Sequence, residues 1–372
     1  MRALVTGGAG LIGSHIVDRL LAAGKQVRIL DNLDEQTHPQ GRPPWIPADA
    51  EFVEGEVQDR DLLARCLAGV DEIYHQAAFG GFTAEISKYY DANATGTSCI
   101  FEVIANRGLD IRKVVAASSQ AIYGEGLYRC PEHGVVQPGM RTLAQFRAQE
   151  WQPRCPRCGE ALAPELTHEA AGWNGETPYA VSKLAEERTV IGMGKRLAIP
   201  TSALRYAVTF GPRQSVFNPY TGIVSIFSTL LLNGLRPTVF EDGRQTRDYI
   251  FVGDIADANL LVMADERADG EVFNVGRGVP VNVIELIDAL AGAYELPAEH
   301  DIPGDFRPGD VRHLVHDAAK IRALGWAPKT SIEDGIREVV DWIRGMGDLQ
   351  EYFSAALEGL RGQGVVMSAE GV

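Results

Sequence analysis

Short apolar runs alternate with helix-length amphipathic stretches along most of the chain. Arg2 to Thr6 is apolar and leads into GGAGLIGSH, a helix-like stretch follows to Ala23, and a second apolar run ends at Asp31. That order predicts strand, glycine turn, helix, strand. Residues 34–49 are rich in Pro, Gly and polar side chains and read as a loop. A short strand at 51–53, a helix at 60–68 and a strand at 70–75 follow, the last running into HQAAF. A helix is expected over 86–106. Asn93 within it is a poor helix former, so it either faces solvent or holds a backbone group or water near the site. The strand KVVAASS then places Ser119 at its C-terminal end, the edge that carries the ligand crevice in open α/β sheets.

Further on, PYAVSK opens a helix at Pro178, and Thr201 to Tyr206 is another strand that breaks at FGPRQ. Helices are expected at 223–232, across VNVIELIDALAG, at 332–344 and at 349–360, with a fraying polar end. The fold class predicted is α/β: a Rossmann-type doubly wound parallel sheet with a smaller C-terminal α/β substrate domain and an inserted zinc-knuckle segment. The divisions expected are 1–209 for the nucleotide-binding part, with 128–172 inserted, and 210–246 for the first substrate part. The chain then returns to the main sheet over 247–269, forms the second substrate part over 270–346, and ends in a tail over 347–372.

Composition narrows the partners. The 372 residues, 45% of them hydrophobic, can bury a full core and form two domains. Fifty acidic against 35 basic side chains give a net charge of −15, which disfavours nucleic acid or an anionic membrane as partner. The first strand begins at residue 2, leaving no room for a signal peptide. No uninterrupted apolar run reaches the roughly 18 residues of a membrane span. Five cysteines cannot all pair within one chain, and a reduced cytoplasm suits them.

The opening turn carries the first chemistry. Gly7 allows the tight turn, Gly10 lets the backbone approach a pyrophosphate, and Gly13 lets the helix lie close to the sheet. Leu11 and Ile12 begin the helix whose N–H groups would face the phosphates. Asp31 lies 18 residues after Gly13 at a strand end, where its carboxylate can accept both ribose hydroxyls. It would repel a 2′-phosphate, and Asn32 and Leu33 offer no positive charge, so the cofactor expected is NAD rather than NADP. Glu56 or Asp59 could meet the adenine amino group, with Val57 between them. Ala77 and Ala78 would let the backbone pass close to the cofactor, and Asn93 completes the expected cofactor set.

In YAVSK, the i, i+4 spacing puts Tyr179 and Lys183 on one helix face. A tyrosine near a pKa of roughly 10 is a poor base at neutral pH. A neighbouring ammonium favours the phenolate. Ser119 could then hydrogen-bond the reacting oxygen, giving a catalytic set of Ser119, Tyr179 and Lys183.

The 60 positions between Ser119 and Tyr179 include YRCPEHG and PRCPRCGE. Cys130 and His133 form a CxxH pair and Cys155 and Cys158 a CxxC pair. Together they could make a closed Cys3His zinc site, with His168 in reserve. A metal would supply folding energy to a segment with little apolar content. The alternative is a redox or unpaired dithiol. Cys66 and Cys99 are expected to be simply buried.

TGGAGLIGSH, HQAA, SSQAIYG, PYAVSK, GPRQ, RDYIFVGDI, FNVG and RPGDVR occur in an order that resembles the extended short-chain dehydrogenase/reductase family, specifically its nucleotide-sugar epimerases and dehydratases. The likeness covers nearly the whole chain. It implies that Ser119, Tyr179 and Lys183 act as above, that Lys183 also binds the nicotinamide ribose, and that Arg247 and Arg307 grip a sugar nucleotide's diphosphate. Gln120, Arg213, Asn218 and Asp310 are the other substrate residues it implies. The family's 4,6-dehydratases carry an Asp-Glu pair where this chain has Gln120 and Ala121, which favours 4-epimerisation. Glu125 is too far along to replace the acid. GPRQSVFNPYTG and FEDGRQTRDY are similar to bacterial epimerases of dTDP-L-rhamnose and, more loosely, UDP-glucose 4-epimerases. Val208 stands where relatives often have a substrate-binding asparagine. The expectation is therefore an NAD-dependent 4-epimerase of a dTDP- or UDP-hexose. A dehydratase, a 4-ketoreductase and a non-catalytic NAD-binding sensor are the rivals. The resemblance also implies a homodimer formed through helices at 86–106 and 179–194.

Overall fold

The protein's structure, a computed structural model, describes residues 1–220 and 222–369. Its centre is a seven-stranded parallel sheet. In chain order the strands are β1 (Arg2–Thr6), β2 (Gln26–Asp31), β3 (Glu51–Glu54), β4 (Glu72–His75), β5 (Lys113–Ser119), β6 (Thr201–Tyr206) and β7 (Val272–Val275). Across the sheet they run β3-β2-β1-β4-β5-β6-β7. Strand order therefore reverses between β1 and β4, and the crevice for a ligand opens there. Strands β4 and β5 are buried at every position, which is why their sequences read as apolar runs rather than alternations.

Helices Leu11–Ala22 and Val252–Ala264 cover one face through Ile16, Val17, Leu20, Ile255 and Val262. The other face is closed by Arg60–Leu67, Gly96–Arg107 and Pro178–Leu197, using Leu63, Ile100, Phe101 and Val190. The helix expected at 86–106 is interrupted. It begins as Ile86–Tyr89, widens into a π turn over Tyr90–Thr95, and resumes as Gly96–Arg107. The wider turn swings Asn93 into the interior, where it is fully buried.

A smaller sheet stands over the strand ends. Thr246–Phe251 pairs in parallel with Val208–Phe210 and His313–Leu314, and antiparallel with Pro280–Asn282. Helices Ile223–Leu232, Val283–Tyr294 and Ile332–Arg344 pack beside it through Phe227, Leu286, Ile287, Ile336 and Val339. Two expected boundaries move. The run at 247–251 belongs to this smaller sheet, so the return to the main body starts at Val252, and it lasts through β7 rather than stopping at 269. Short buried strands look alike in sequence whichever sheet they join.

The insertion is a three-stranded antiparallel sheet of Tyr128–Cys130, Gly134–Val136 and Ala163–Pro164. Its own core is small: Tyr128, Cys130, Val136, Cys155 and Leu162. The tail helix lies at Phe353–Gly362 rather than 349–360. Beyond it the chain is anchored, not frayed. Leu357, Leu360 and Val366 pack with Tyr220 and Phe240, and Met367–Ser368 pairs with Asp305–Phe306. The last three residues of the expected frayed end lie outside the described residues.

One contact fixes the first crossover. A Cβ on Gly13 would sit 2.1 Å from the Gly7 carbonyl oxygen and 2.8 Å from the Gly8 Cα, both rigid backbone. Gly13→Ala is expected to destabilise the fold by about 1–3 kcal/mol and to weaken NAD binding, checked by urea unfolding and by titration with NAD.

Candidate active site

The switch point opens into a cavity of about 980 Å³ that continues beneath the smaller sheet. Its floor is the glycine turn. Gly7 has φ +66, and a Cβ there would meet the Ala77 backbone nitrogen at 2.6 Å, so β1 and HQAA lie against each other only because no side chain intervenes. Gly10 precedes the helix Leu11–Ala22 as its N-cap and has no side-chain cap, which leaves the helix N–H groups for an anion. Trp45, from the 34–49 loop, donates to the Ala9 carbonyl (2.9 Å) and covers the turn. Asp31 ends β2 with Oδ2 accepting from Ala9 N (2.9 Å) and Oδ1 from Leu33 N (2.9 Å). Asp59, one of two candidates for the adenine, is occupied capping the helix Arg60–Leu67, whereas Glu56 lines the cavity.

The cradle, the carboxylate at the end of β2 and the uncapped helix start fit a dinucleotide. Every residue expected to bind the cofactor lines the cavity except Asp59, Asn93 and Lys183. Asn93 holds the cavity wall instead. Its Oδ1 accepts from Phe79 N (2.8 Å), and its Nδ2 donates to Phe79 O (3.1 Å) and Ser182 Oγ (2.9 Å). This is the second of the two readings of Asn93, a clamp on backbone rather than a contact to the ligand.

Ser119 and Tyr179 line the same cavity. Ser118 and Ser119 point to opposite sides of β5. The Ser118 hydroxyl donates to Glu187 Oε2 (2.6 Å) beneath the helix Pro178–Leu197, while Ser119 is left at the cavity and accepts from Ala121 N (3.2 Å). Tyr179 packs edge-on against Tyr89, ring centroids 6.2 Å apart. Toward the smaller sheet, Gln120, Asn218, Arg247, Arg307 and Asp310 line the cavity. Asp310 accepts from Arg247 (2.8 Å) and Arg307 (3.0 Å). Burial pushes its carboxyl up, but Arg307, Arg247 and Arg141 outweigh that and hold it at about 2.

Arg213 is a correction. It lies outside the cavity and pairs with Asp18 (2.7 Å), because φ +71 at Arg213 turns the GPRQ segment back onto the first helix. Glu125, unneeded as an acid, is fully buried away from the cavity.

The profile of the "NAD dependent epimerase/dehydratase family" matches residues 3–276. The chain belongs to this family. Among relatives of this epimerase/dehydratase, dTDP-L-rhamnose 4-epimerase of Burkholderia thailandensis is 34% identical over 351 residues, covering 91% of this chain and 94% of that protein. UDP-glucose 4-epimerase of Mycolicibacterium smegmatis is 34% identical over 350 residues, covering 92% and 99%. Among solved structures, UDP-glucose 4-epimerase of Thermus thermophilus in complex with NAD is 31% identical with TM-score 0.74, covering 93% of this chain and 99% of that one. UDP-glucose 4-epimerase of Thermotoga maritima with UDP-glucose is 28% identical with TM-score 0.76, covering 94% and 100%. The protein is an enzyme, an NAD-using epimerase.

The epimerase also contains site residues that the sequence reading did not pick out. The Arg307 guanidinium lies over Phe82 at 3.8 Å and over Phe240 at 5.1 Å. The glycine pair before Phe82 was the one available signal, because Gly81, at φ +98, lies against Tyr220. Met140 reaches the cavity from the insertion with no signal in its local sequence.

Lys183 is 1% exposed and donates to Glu186 Oε2 at 2.6 Å. Burial pushes the Glu186 carboxyl up to about 7, against the pull of Lys183. The other oxygen, Oε1, has no hydrogen-bond partner, and His75 Nε2 stands 3.9 Å from it. Burial and Lys183 hold that imidazole down at about 3, so it is neutral. A carboxyl whose pKa is raised on folding binds its proton more tightly in the folded state. Its contribution to stability is thus present below the unfolded pKa and lost as pH rises through the folded one. Glu186→Gln is expected to remove this loss, so the variant's stability relative to wild type should rise between about pH 4.5 and 7 and then level off. Denaturant melts of both proteins across that range check it.

Proposed function

We propose that the protein is a nucleotide-sugar 4-epimerase that inverts C4 of a dTDP- or UDP-hexose through a transient 4-keto sugar. The observation carrying this is that Ser119 and Tyr179 open onto the same cavity as the glycine cradle at one end and the Arg307–Asp310 loop at the other. The glycine turn, Asp31 and Glu56 would hold NAD, and the bound cofactor would supply reversible hydride acceptance at C4, so no second redox substrate would be needed. Tyr179 takes the proton of the C4 hydroxyl and returns it. Ser119 orients that oxygen, and the Lys183 ammonium behind the tyrosine favours the phenolate. Arg307 and Arg247 hold the diphosphate while the sugar turns. Arg247 is already bonded to Asp310 and to the carbonyls of Thr246, Val311 and Arg312, which makes Arg307 the freer of the two.

Gln120 and Ala121 stand next to Ser119, and neither an amide nor a methyl can serve as the acid or base of a dehydration. Val208 lines the cavity without the amide that relatives often offer there. The Gln120 Oε1, buried and without a partner, is a polar group available for a sugar hydroxyl instead. The relatives named for dTDP-L-rhamnose and UDP-glucose support this substrate class. The reading includes a cytoplasmic homodimer joined through the helices around 86–106 and 179–194. No described helix is long and apolar enough to cross a membrane.

The same reading assigns a structural zinc to Cys130, His133, Cys155 and Cys158. Their ligand atoms all lie within 4.8 Å of one another, and Cys130 Sγ is 3.6 Å from Cys158 Sγ and 3.5 Å from His133 Nδ1. Tetrahedral ligands about 2.3 Å from a zinc are about 3.8 Å apart, so the cluster is close to the size required. Four protein ligands leave no open position, which suits folding rather than catalysis. His168 is not part of the cluster.

Tyr179→Phe should keep NAD binding and lose turnover by about a hundredfold or more. Products from a panel of dTDP-, UDP- and GDP-sugars, read by NMR, should be C4-inverted with no net NADH. Dehydrated products, or full turnover by the variant, would overturn the reading. Elemental analysis should find close to one zinc per chain, lost when Cys155 and Cys158 are both replaced by Ser. Metal-free protein of unchanged stability would reject the zinc.

A further inference from the structure

The insertion reaches the cavity at Met140, and the next residue is buried behind its wall. Met140 lines the cavity, and the Arg141 side chain beside it is 1% exposed. All five Arg141 N–H groups are used. Nε donates to Glu125 Oε1 (3.0 Å). The two terminal nitrogens donate to both Glu241 carboxylate oxygens (2.9 Å each) and to the carbonyls of Trp151 (3.1 Å) and Asp310 (2.8 Å). Glu125 also accepts from the Arg312 backbone N–H (3.0 Å), and Glu241 accepts from the Arg312 side chain (2.9 Å). One guanidinium therefore joins three separated stretches: the turn after β5, the lead into the smaller sheet, and the 305–312 loop.

A second contact grips that loop from the insertion. Phe146 stacks on Phe306 with centroids 5.0 Å apart and planes 12° from parallel, and the Arg141 guanidinium covers the Phe146 ring at 4.4 Å. Phe306 is the residue before Arg307. The next buried bonds along the loop are those from Arg307 and Arg247 to Asp310. Removing Arg141 would leave Glu125 buried with only the Tyr128 hydroxyl and the Arg312 backbone N–H, and Glu241 with only the Arg312 side chain, and buried charge short of a partner forces local rearrangement.

We infer that the insertion is a strut for the nucleotide-sugar loop, with Arg141 as a positioning residue that sets where Arg307 and Asp310 stand. It acts on the grip of the substrate's diphosphate end and leaves NAD binding at the far end of the cavity alone. Its functional side rests on the nucleotide-sugar reading above; the loop's dependence on Arg141 does not.

Two variants of the full chain, Arg141→Gln and Phe146→Leu, test it. The second keeps the ion network and an apolar side chain while removing the ring stack, so it remains informative if the first does not fold. Hydrogen exchange over 305–312 should speed up in a folded variant while exchange over β1 and the glycine turn stays unchanged. UDP and dTDP should bind about tenfold more weakly to Arg141→Gln and less strongly perturbed to Phe146→Leu. KM should rise more than kcat falls, with NAD affinity unaltered. If 305–312 exchanges as in wild type in a folded variant, or NAD affinity falls in step with UDP affinity, the strut is overturned. If the wild-type chain binds neither UDP nor dTDP, the nucleotide-sugar reading fails instead, and the exchange result alone decides the strut.

Discussion

The structure turns on an ammonium kept out of water beside a buried carboxyl. Lys183 is nearly inaccessible, and a buried cation is stable only if something of opposite charge stands beside it. Glu186, one turn further along the helix Pro178–Leu197, is that group. It is itself in deep burial, which lifts its carboxyl towards neutrality. The arrangement constrains its surroundings. The helix must lie on the sheet at β5 so that Ser119 and Tyr179 reach one cavity, and His75 must remain neutral because a second cation there would be unmatched. Even Asn93, a residue away from the ligand, serves this packing by bonding Ser182 on the same helix.

A second buried charge system stands at the other end of the cavity. Arg141, Arg312, Glu125, Glu241 and Asp242 are linked by side-chain bonds, and Arg247, Arg307 and Asp310 form the adjoining group at the cavity wall. Such networks add little net stability compared with apolar packing, since each ion must be desolvated. What they add is position, because a guanidinium with every N–H occupied has few alternative placements. On the proposed reading, the first system stands at the proton-exchange end of the cavity and the second at the end that would hold a diphosphate. The insertion contributes Arg141 and its bonds to this second system.

Much of this was legible in the chain. The β1–turn–helix–β2 unit was read in its right order, with β1 at Arg2–Thr6 and β2 ending at Asp31, and its glycines Gly7 and Gly13 answer a steric demand that no other residue meets. Tyr179 and Lys183 were legible because helical spacing makes them neighbours. Arg213 was misplaced because its motif fixes a bend, and the direction of a side chain after a left-handed residue depends on what it meets. Met140, Phe82 and Phe240 gave little or no sign of themselves. Their importance lies in reaching the cavity from segments far apart in sequence.

The sequence by itself determined the Rossmann-type order of elements, the glycine turn, the carboxylate ending β2, the places of Ser119 and Tyr179 at one cavity, and the clustering of the Cys/His pairs. Each is a local pattern whose meaning comes from backbone sterics or from spacing along one element. Tertiary structure alone decided that Lys183 answers to Glu186, that Asn93 clamps the Phe79 backbone, and that Arg141 ties an insertion to the Arg307 loop. Those outcomes depend on which charges are buried together, and burial belongs to the packed molecule rather than to any stretch of the chain.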